Sequence, residues 1–421
     1  MLRALCLLPV LSLLTFAQDP AGTARKALDL MIGEKYQDLQ PLFTEDMRKE
    51  LPPDKLAKLG TQLKNAGSLE KVNDPQVTKS GTNTIVVFPV KFSNQSLNFR
   101  FIVNGSGQIA GMFILPGPVE WKHPDYSKAD SFTERQVTVG EGEWKLPGTL
   151  TVPKGTGPFP AVVLVHGTAP LDRDATVNAA KIFKDLAEGL ASRGIVVLRY
   201  EKRTRYYESR MAGLNKYTVG EETVDDAAAG AALLRTQPEV DPKKVFVVGH
   251  DLGGYVAPRI ADEDGKLAGL VLLAANVRPL MDLAIDQLQA VGAQQSAIDQ
   301  AKAVQARMKK LEPGDEDSPA LAGKPAGYWL DLKDYNPVEK AKRLGIPMLI
   351  LQGERDFQVG MTDFGLWKAG LGNSPGVALK SYPKLNHLFI AGEGKSTPAE
   401  YGKPGHVSVE VVDDIAAFVK K

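Results

Sequence analysis

The sequence predicts an α/β protein: a mostly parallel, doubly wound sheet with a helical cap, preceded by a small α+β domain. Three observations lead there. Beyond about residue 130, short continuous apolar runs alternate with helical stretches, the pattern of a parallel sheet covered on both faces. Ahead of that region, helical periodicity over residues 20–64 gives way to strand-like alternation, as in a separate α+β unit. Finally, Gly249-His250-Asp251-Leu252-Gly253-Gly254 follows directly on Val245-Phe246-Val247-Val248, a glycine-framed turn from strand to helix.

The chain of 421 residues opens with a leader-like segment over residues 1–17. Arg3 supplies its charge, Ala4 to Phe16 its apolar stretch, and Thr15-Phe16-Ala17 a small-residue cleavage site. The apolar run is too short to span a bilayer, although an uncleaved anchor is the alternative. The mature protein is expected to be soluble, secreted or periplasmic, without stable membrane insertion. Cleavage removes Cys6, the only cysteine, and with it any disulfide or thiol nucleophile. It also removes Arg3, taking the basic count from 51 to 50 against 50 acidic residues. That balance argues against a nucleic-acid partner. The expected partner is a small-molecule substrate; neither cofactor nor metal is implied, and the oligomeric state is left open.

Residues 19–115 form the first predicted domain. Ala24, Ala27, Leu28, Met31 and Ile32 keep helical spacing, and Leu51-Pro52-Pro53-Asp54 breaks and restarts it. Strands are expected over 84–88, 97–103 and 109–114, the last two joined by the turn Asn104-Gly105-Ser106-Gly107. Residues 116–130, rich in turn formers, read as a linker to a second domain over 131–421. Its expected strands cover 161–165, 195–199, 245–248, 270–274, 347–351 and 377–382, with helices over 223–234, 252–260 and 409–419. A long helical stretch from Met281, followed by Tyr328-Trp329, sits where a cap over an active site is inserted, approximately 281–330.

Chemistry concentrates at three strand ends. The Gly249–Gly253 spacing is that of a G-x-S-x-G nucleophile elbow with aspartate where serine is expected. Asp356 follows the strand at 347–351, and His387 the strand at 377–382. In an open parallel sheet both reach the crevice where ligands bind. The order Asp251, Asp356, His387 is the nucleophile–acid–histidine order. Glu354 is the rival acid, and a plain helix cap is the alternative for Asp356. His166-Gly167-Thr168-Ala169-Pro170 ends the first strand of this domain. Thr168 and Leu252 are therefore candidates for the two oxyanion N–H donors, and His166, Gly167, Arg173, Tyr328 and Trp329 for the pocket. The charges in Leu171–Asp174 and Arg199–Arg203 read equally as pocket lining or as a salt-bridge network. Gly372-Asn373-Ser374-Pro375-Gly376 fits G-x-S-x-G formally, but it precedes a strand and reads as a loop.

Through Leu146–Leu150, His166–Asp174, Leu198–Thr204, the elbow, Tyr328–Leu332, Leu351–Asp356 and Leu385–Phe389, nearly the whole mature chain resembles two-domain bacterial α/β-hydrolases. These carry an N-terminal NTF2-like domain and are typified by thermostable carboxylesterases. The resemblance implies an α/β-hydrolase fold, ester hydrolysis, an acid at Asp356 and a base at His387. Its nucleophilic serine falls on Asp251.

An aspartate of ordinary pKa, about 3.9, is ionised at neutral pH and needs no base before attack. It is a weaker nucleophile than an activated serine towards acyl carbon, where it would form a mixed anhydride. Three readings follow. The chain is an ester hydrolase with altered or feeble chemistry on small acyl esters. Alternatively, it resembles epoxide hydrolases and haloalkane dehalogenases, forming an alkyl ester on Asp251, although those carry Trp after the Asp and this chain has Leu252. In the third reading it is a catalytically impaired homologue that binds a ligand or partner.

Overall fold

A computed structural model describes residues 19–117, 121–214 and 216–421; the expected leader lies outside them. The chain divides into two compact units between Glu120 and Trp121.

The first unit runs through helices Pro20–Ile32, Tyr36–Leu39, Glu45–Glu50 and Pro53–Leu63. Ala24, Ala27, Leu28 and Met31 make the buried stripe of the first helix, and Pro53 opens the last, where its missing N–H costs nothing. Five antiparallel strands follow: β1 (Leu69–Val72), β2 (Gln76–Ser80), β3 (Asn83–Phe92), β4 (Ser96–Val103) and β5 (Ile109–Pro116). β4 alternates strictly, burying Leu97, Phe99, Phe101 and Val103. β1 and β2 escaped the sequence reading because they are exposed along almost their whole length and carry no apolar alternation. They exist by pairing with β3, β2 along Asn83–Val87 and β1 along Val90–Phe92.

In the second unit an eight-stranded sheet contains β6 (Phe132–Val139), β7 (Leu146–Pro153), β8 (Phe159–Val165), β9 (Val196–Tyr200), β10 (Val240–His250), β11 (Gly269–Leu273), β12 (Met348–Gly353) and β13 (Val377–Tyr382). The spatial order is β13-β12-β11-β10-β8-β9-β7-β6, parallel from β13 to β9 and antiparallel at β7 and β6. The antiparallel pair was not foreseen: β6 shows water half its length, and Pro147-Gly148 interrupts β7 as a sequence pattern. Helices Asp225–Arg235 and Leu252–Asp264 cover one face, and Ile182–Ala191 and Val409–Val419 the other. The inner strands β9, β11 and β12 and the later parts of β8 and β10 are buried on both sides, which explains their unbroken apolar runs. The strand order reverses around β8, between β9 on one side and β10 on the other. That switch point places a crevice at the carboxyl ends of these strands.

Two further features bear on the site. Helices Leu280–Ala290, Gln295–Lys309 and Ala326–Lys333 are inserted between β11 and β12. The later part of the expected linker adheres to this unit: Trp121 Nε1 donates to Asp185 Oδ1 (2.8 Å), and Ser127 Oγ to Glu188 Oε2 (2.7 Å). Among the described residues no helix is long and apolar enough to cross a membrane.

Trp367, fully buried, donates from Nε1 to Ala275 O (2.9 Å) just beyond β11. Trp367→Ala is expected to lower stability by about 3–5 kcal/mol, because a large cavity and an orphaned carbonyl are left together. The urea midpoint, at unchanged m-value, measures it.

Candidate active site

The site starts with the backbone at Asp251. Its φ of 53° and ψ of −118° lie outside the ordinary regions for a side-chain-bearing residue, the strained geometry of an elbow. Two glycines allow it. A Cβ on Gly249 would stand 2.2 Å from Gly253 O, and one on Gly253 would stand 2.2 Å from Val165 O. The elbow helix therefore presses against the end of β8 with no room for a methyl group.

That closeness brings Asp251 to the loop after β8. Asp251 Oδ2 accepts from Thr168 N (2.9 Å) and from Thr168 Oγ1 (3.0 Å). Burial pushes this carboxyl up, but the His387 and His250 imidazoles and the two Thr168 bonds outweigh it, and the pKa lies below the ordinary value. Asp251 is thus an anion seated on the loop amide. Leu252, buried, opens the helix, and first-turn N–H groups have no intrahelical carbonyl to meet.

His387 and Asp356 meet as a pair, with His387 Nδ1 2.8 Å from Asp356 Oδ2. The same oxygen accepts from Gln352 Nε2 (3.1 Å), while Oδ1 accepts from Gln358 N (2.7 Å) and Val359 N (2.9 Å). Four bonds leave the carboxylate one orientation. The histidine loop is braced by Asn386, whose Oδ1 accepts from Leu388 N and Ile390 N. The His387 carbonyl is bonded to His250 Nε2 at 2.9 Å. Burial drops the His250 pKa to about 4, so this ring is neutral at pH 7 and donates. For His387, burial lowers the pKa, but the Asp356 charge and hydrogen bond, with the Asp251 charge, raise it on balance. The two carboxylate charges thus shift His387 towards its protonated form.

The remaining candidates separate. Glu354 bonds Ser381 Oγ (2.7 Å) at the surface, leaving Asp356 to the histidine. Two pocket expectations need correcting. His166 turns into the core between Phe183 and Tyr200, its Nε2 on Asp172 O (3.0 Å), and burial drops its pKa to about 3. Arg173 is engaged by Glu201 (2.7 Å), Gln136 and Thr149. Both follow a strand end, but the sequence does not say to which side of the sheet they turn. Gly167 does border the site: a Cβ there would be 2.6 Å from Asp251 Oδ2. Trp329 lines an apolar cavity of about 160 Å³ with Tyr255, Met281 and Met308. Tyr328 is fully buried, close enough to Asp251 and Glu222 for their charges to raise its pKa well above the ordinary value, after burial itself. A larger cleft of about 630 Å³ opens at Thr168, with Tyr217, Met211 and Lys324 among its walls.

The sequence reading did not single out Gln352, Glu222 or Lys324. A glutamine four residues before a loop acid, near the end of a buried strand, is a readable signal for the first. Glu222 and Lys324 offer none, since their meeting depends on the inserted segment.

An acid–histidine pair and a strained elbow at the carboxyl edge of such a sheet define a hydrolase of the α/β class. The chain belongs to the alpha/beta hydrolase family, whose model matches residues 162–401, more than half its length. Residues 24–112 match a family described as a protein of unknown function, DUF3887. The chain is 36% identical over 396 residues to esterase EstD of Thermotoga maritima, covering 93% of each chain. Among solved structures, an esterase of Pyrococcus furiosus aligns at 17% identity and TM-score 0.44, over 72% of this chain and 96% of that one. Est1E of Butyrivibrio proteoclasticus aligns at 15% identity and TM-score 0.44, over 68% and 99%.

Proposed function

We propose that this protein is an ester hydrolase of the carboxylesterase type acting on small acyl esters. In this reading Asp251 holds the nucleophile position, Asp356 and His387 complete the triad, and Thr168 and Leu252 donate to the oxyanion. The observation that carries it is the Thr168 N–H aimed at the elbow carboxylate. A backbone donor in that place serves the oxygen on which charge develops in acyl transfer. The 36% identity to a protein named an esterase supports the same reading. The leader-like residues 1–17 support export to the periplasm or medium, and helices followed by an antiparallel sheet support an NTF2-like first unit.

Turnover begins when an ester carbonyl displaces Asp251 Oδ2 from Thr168. The carboxylate attacks the acyl carbon, and protonated His387 gives its proton to the leaving alkoxide, forming alcohol and a mixed anhydride. Neutral His387 then takes a proton from water, whose oxygen attacks the anhydride. The acid leaves, and the Asp251 carboxylate and the imidazolium return. Because the carboxylate shares its donor with the substrate, the protein is slow as it stands.

The pH dependence follows in sign. The resting form that reacts carries the proton on His387, so kcat/KM falls as pH rises through its raised pKa. Short p-nitrophenyl esters assayed against pH measure this. His387→Ala is expected to cost about 10²–10⁴-fold. Equal turnover with and without His387 would overturn the reading.

A further inference from the structure

The segment Arg199–Arg203, spanning the end of β9 and the residues after it, carries four charges, and three of them stay within the scaffold. Arg199 bonds Asp174 and Glu134, Glu201 bonds Arg173, and Arg203 bonds Asp226. Lys202 goes elsewhere. Its ammonium, 2% exposed, sits 2.6 Å from Gly167 O and 3.2 Å from Thr168 O.

Gly167 C=O and Thr168 N–H belong to one peptide unit, and in a trans peptide they point in opposite directions. A cation on the oxygen therefore fixes the plane from behind and turns the N–H towards the elbow, where it meets Asp251 Oδ2. The same cation polarises the amide and strengthens it as a donor. The ammonium is held by a second layer. Glu222 Oε1 lies 3.6 Å from Lys202 Nζ and accepts from Lys324 Nζ at 2.6 Å. Glu222 is buried within the π-helical turn Gly220–Val224, a distortion that often accompanies function. Lys324 belongs to the inserted segment, where its ammonium sits 5.0 Å from the Tyr328 ring and lines the cleft that opens at Thr168.

We propose that Lys202 is a positioning residue for the oxyanion site, orienting and polarising the Gly167–Thr168 peptide, and that Glu222 and Lys324 connect it to the inserted segment beside the cleft. The proposal rests on the reading of Thr168 as an oxyanion donor. Removing Lys324 frees Glu222 to close on Lys202 and draw its ammonium off the two carbonyls, so the state of the insertion reaches the donor through charge.

Two arms test it. In an Asp251→Ser background, Lys202→Met is expected to lower kcat on p-nitrophenyl acetate about 10²-fold with KM nearly unchanged, as for a weakened oxyanion donor. Affinity for an alkyl boronic acid, which mimics the tetrahedral intermediate, falls in parallel. Lys324→Met lowers kcat less, and not at all once Lys202 is methionine. A rise in KM alone, or unaltered boronate affinity, overturns the proposal, as does additivity of the two substitutions. The second arm needs no turnover. In the otherwise unaltered chain, hydrogen exchange of the peptide spanning 166–171 is expected to speed up in Lys202→Met, and in Lys324→Met should Lys202→Met not fold. Unchanged exchange in a folded variant overturns the proposal. Absence of ester turnover in Asp251→Ser alone counts against the function reading, while the exchange arm still decides Lys202.

Discussion

Replacing Asp251 with serine is expected to raise kcat/KM on short p-nitrophenyl esters by about 10³-fold, within the range by which a triad nucleophile matters. Three effects act together. The hydroxyl leaves the Thr168 N–H, now taken by Asp251 Oδ2, open to an acyl oxygen. It also offers a nucleophile that His387 activates by removing its proton. Loss of the Asp251 charge removes one of the two carboxylate charges that raise the His387 pKa. The pH profile should therefore invert. In the serine variant the reacting form has neutral His387, so kcat/KM rises with pH through a His387 pKa lower than in the parent. In the parent it falls with pH. Two titrations on the same ester decide the matter. A serine variant no faster than its parent would remove the case for a blocked esterase.

Gly253→Ala is expected to have a large structural effect for a single methyl group. Its Cβ would lie 2.2 Å from Val165 O, 2.7 Å from Val165 C and 2.8 Å from His166 O. All three are backbone atoms of β8 and its loop, so no side chain can swing aside. The elbow helix and the loop after β8 must separate, at a cost of about 3 kcal/mol or more, the upper range for overpacking. Thr168 loses its register with residue 251 in the same movement. A fall in the urea midpoint accompanied by loss of ester turnover is the expected pair of results. In the serine background the activity loss should exceed that of Trp367→Ala, which disturbs the core away from the loop. A Gly253→Ala protein of unchanged stability would show that the helix and β8 do not abut as described.

Much of the second unit's frame was legible because its strands are buried on both faces. Burial on both sides writes a continuous apolar run, and each run ended near a residue fit for chemistry. The runs ending before Asp251 and Asp356 were read this way, whereas the strand before His387 is an edge strand with Ala378 and Lys380 exposed. The same rule missed β6 and β7, where an antiparallel edge exposes one face or carries turn formers, and β1 and β2, which β3 recruits through backbone pairing alone. Charges were harder still. Arg199, Glu201, Lys202 and Arg203 are four charges in one short stretch, yet among them it is Lys202 that bonds the Gly167 and Thr168 carbonyls beside Asp251.

By itself the sequence determined the order of Asp251, Asp356 and His387, the strands that precede them and the presence of a carboxylate at the glycine-framed turn. Those depend on local patterns: apolar runs, glycines and the residue type at a turn. Only the tertiary structure decided that the Asp251 carboxylate turns onto the Thr168 amide, that His387 meets Asp356 through Nδ1, and that Lys202 stands behind the same peptide. These depend on directions and distances between segments far apart in the chain. Two residues at strand ends can face each other or face away with no change in the pattern that put them there.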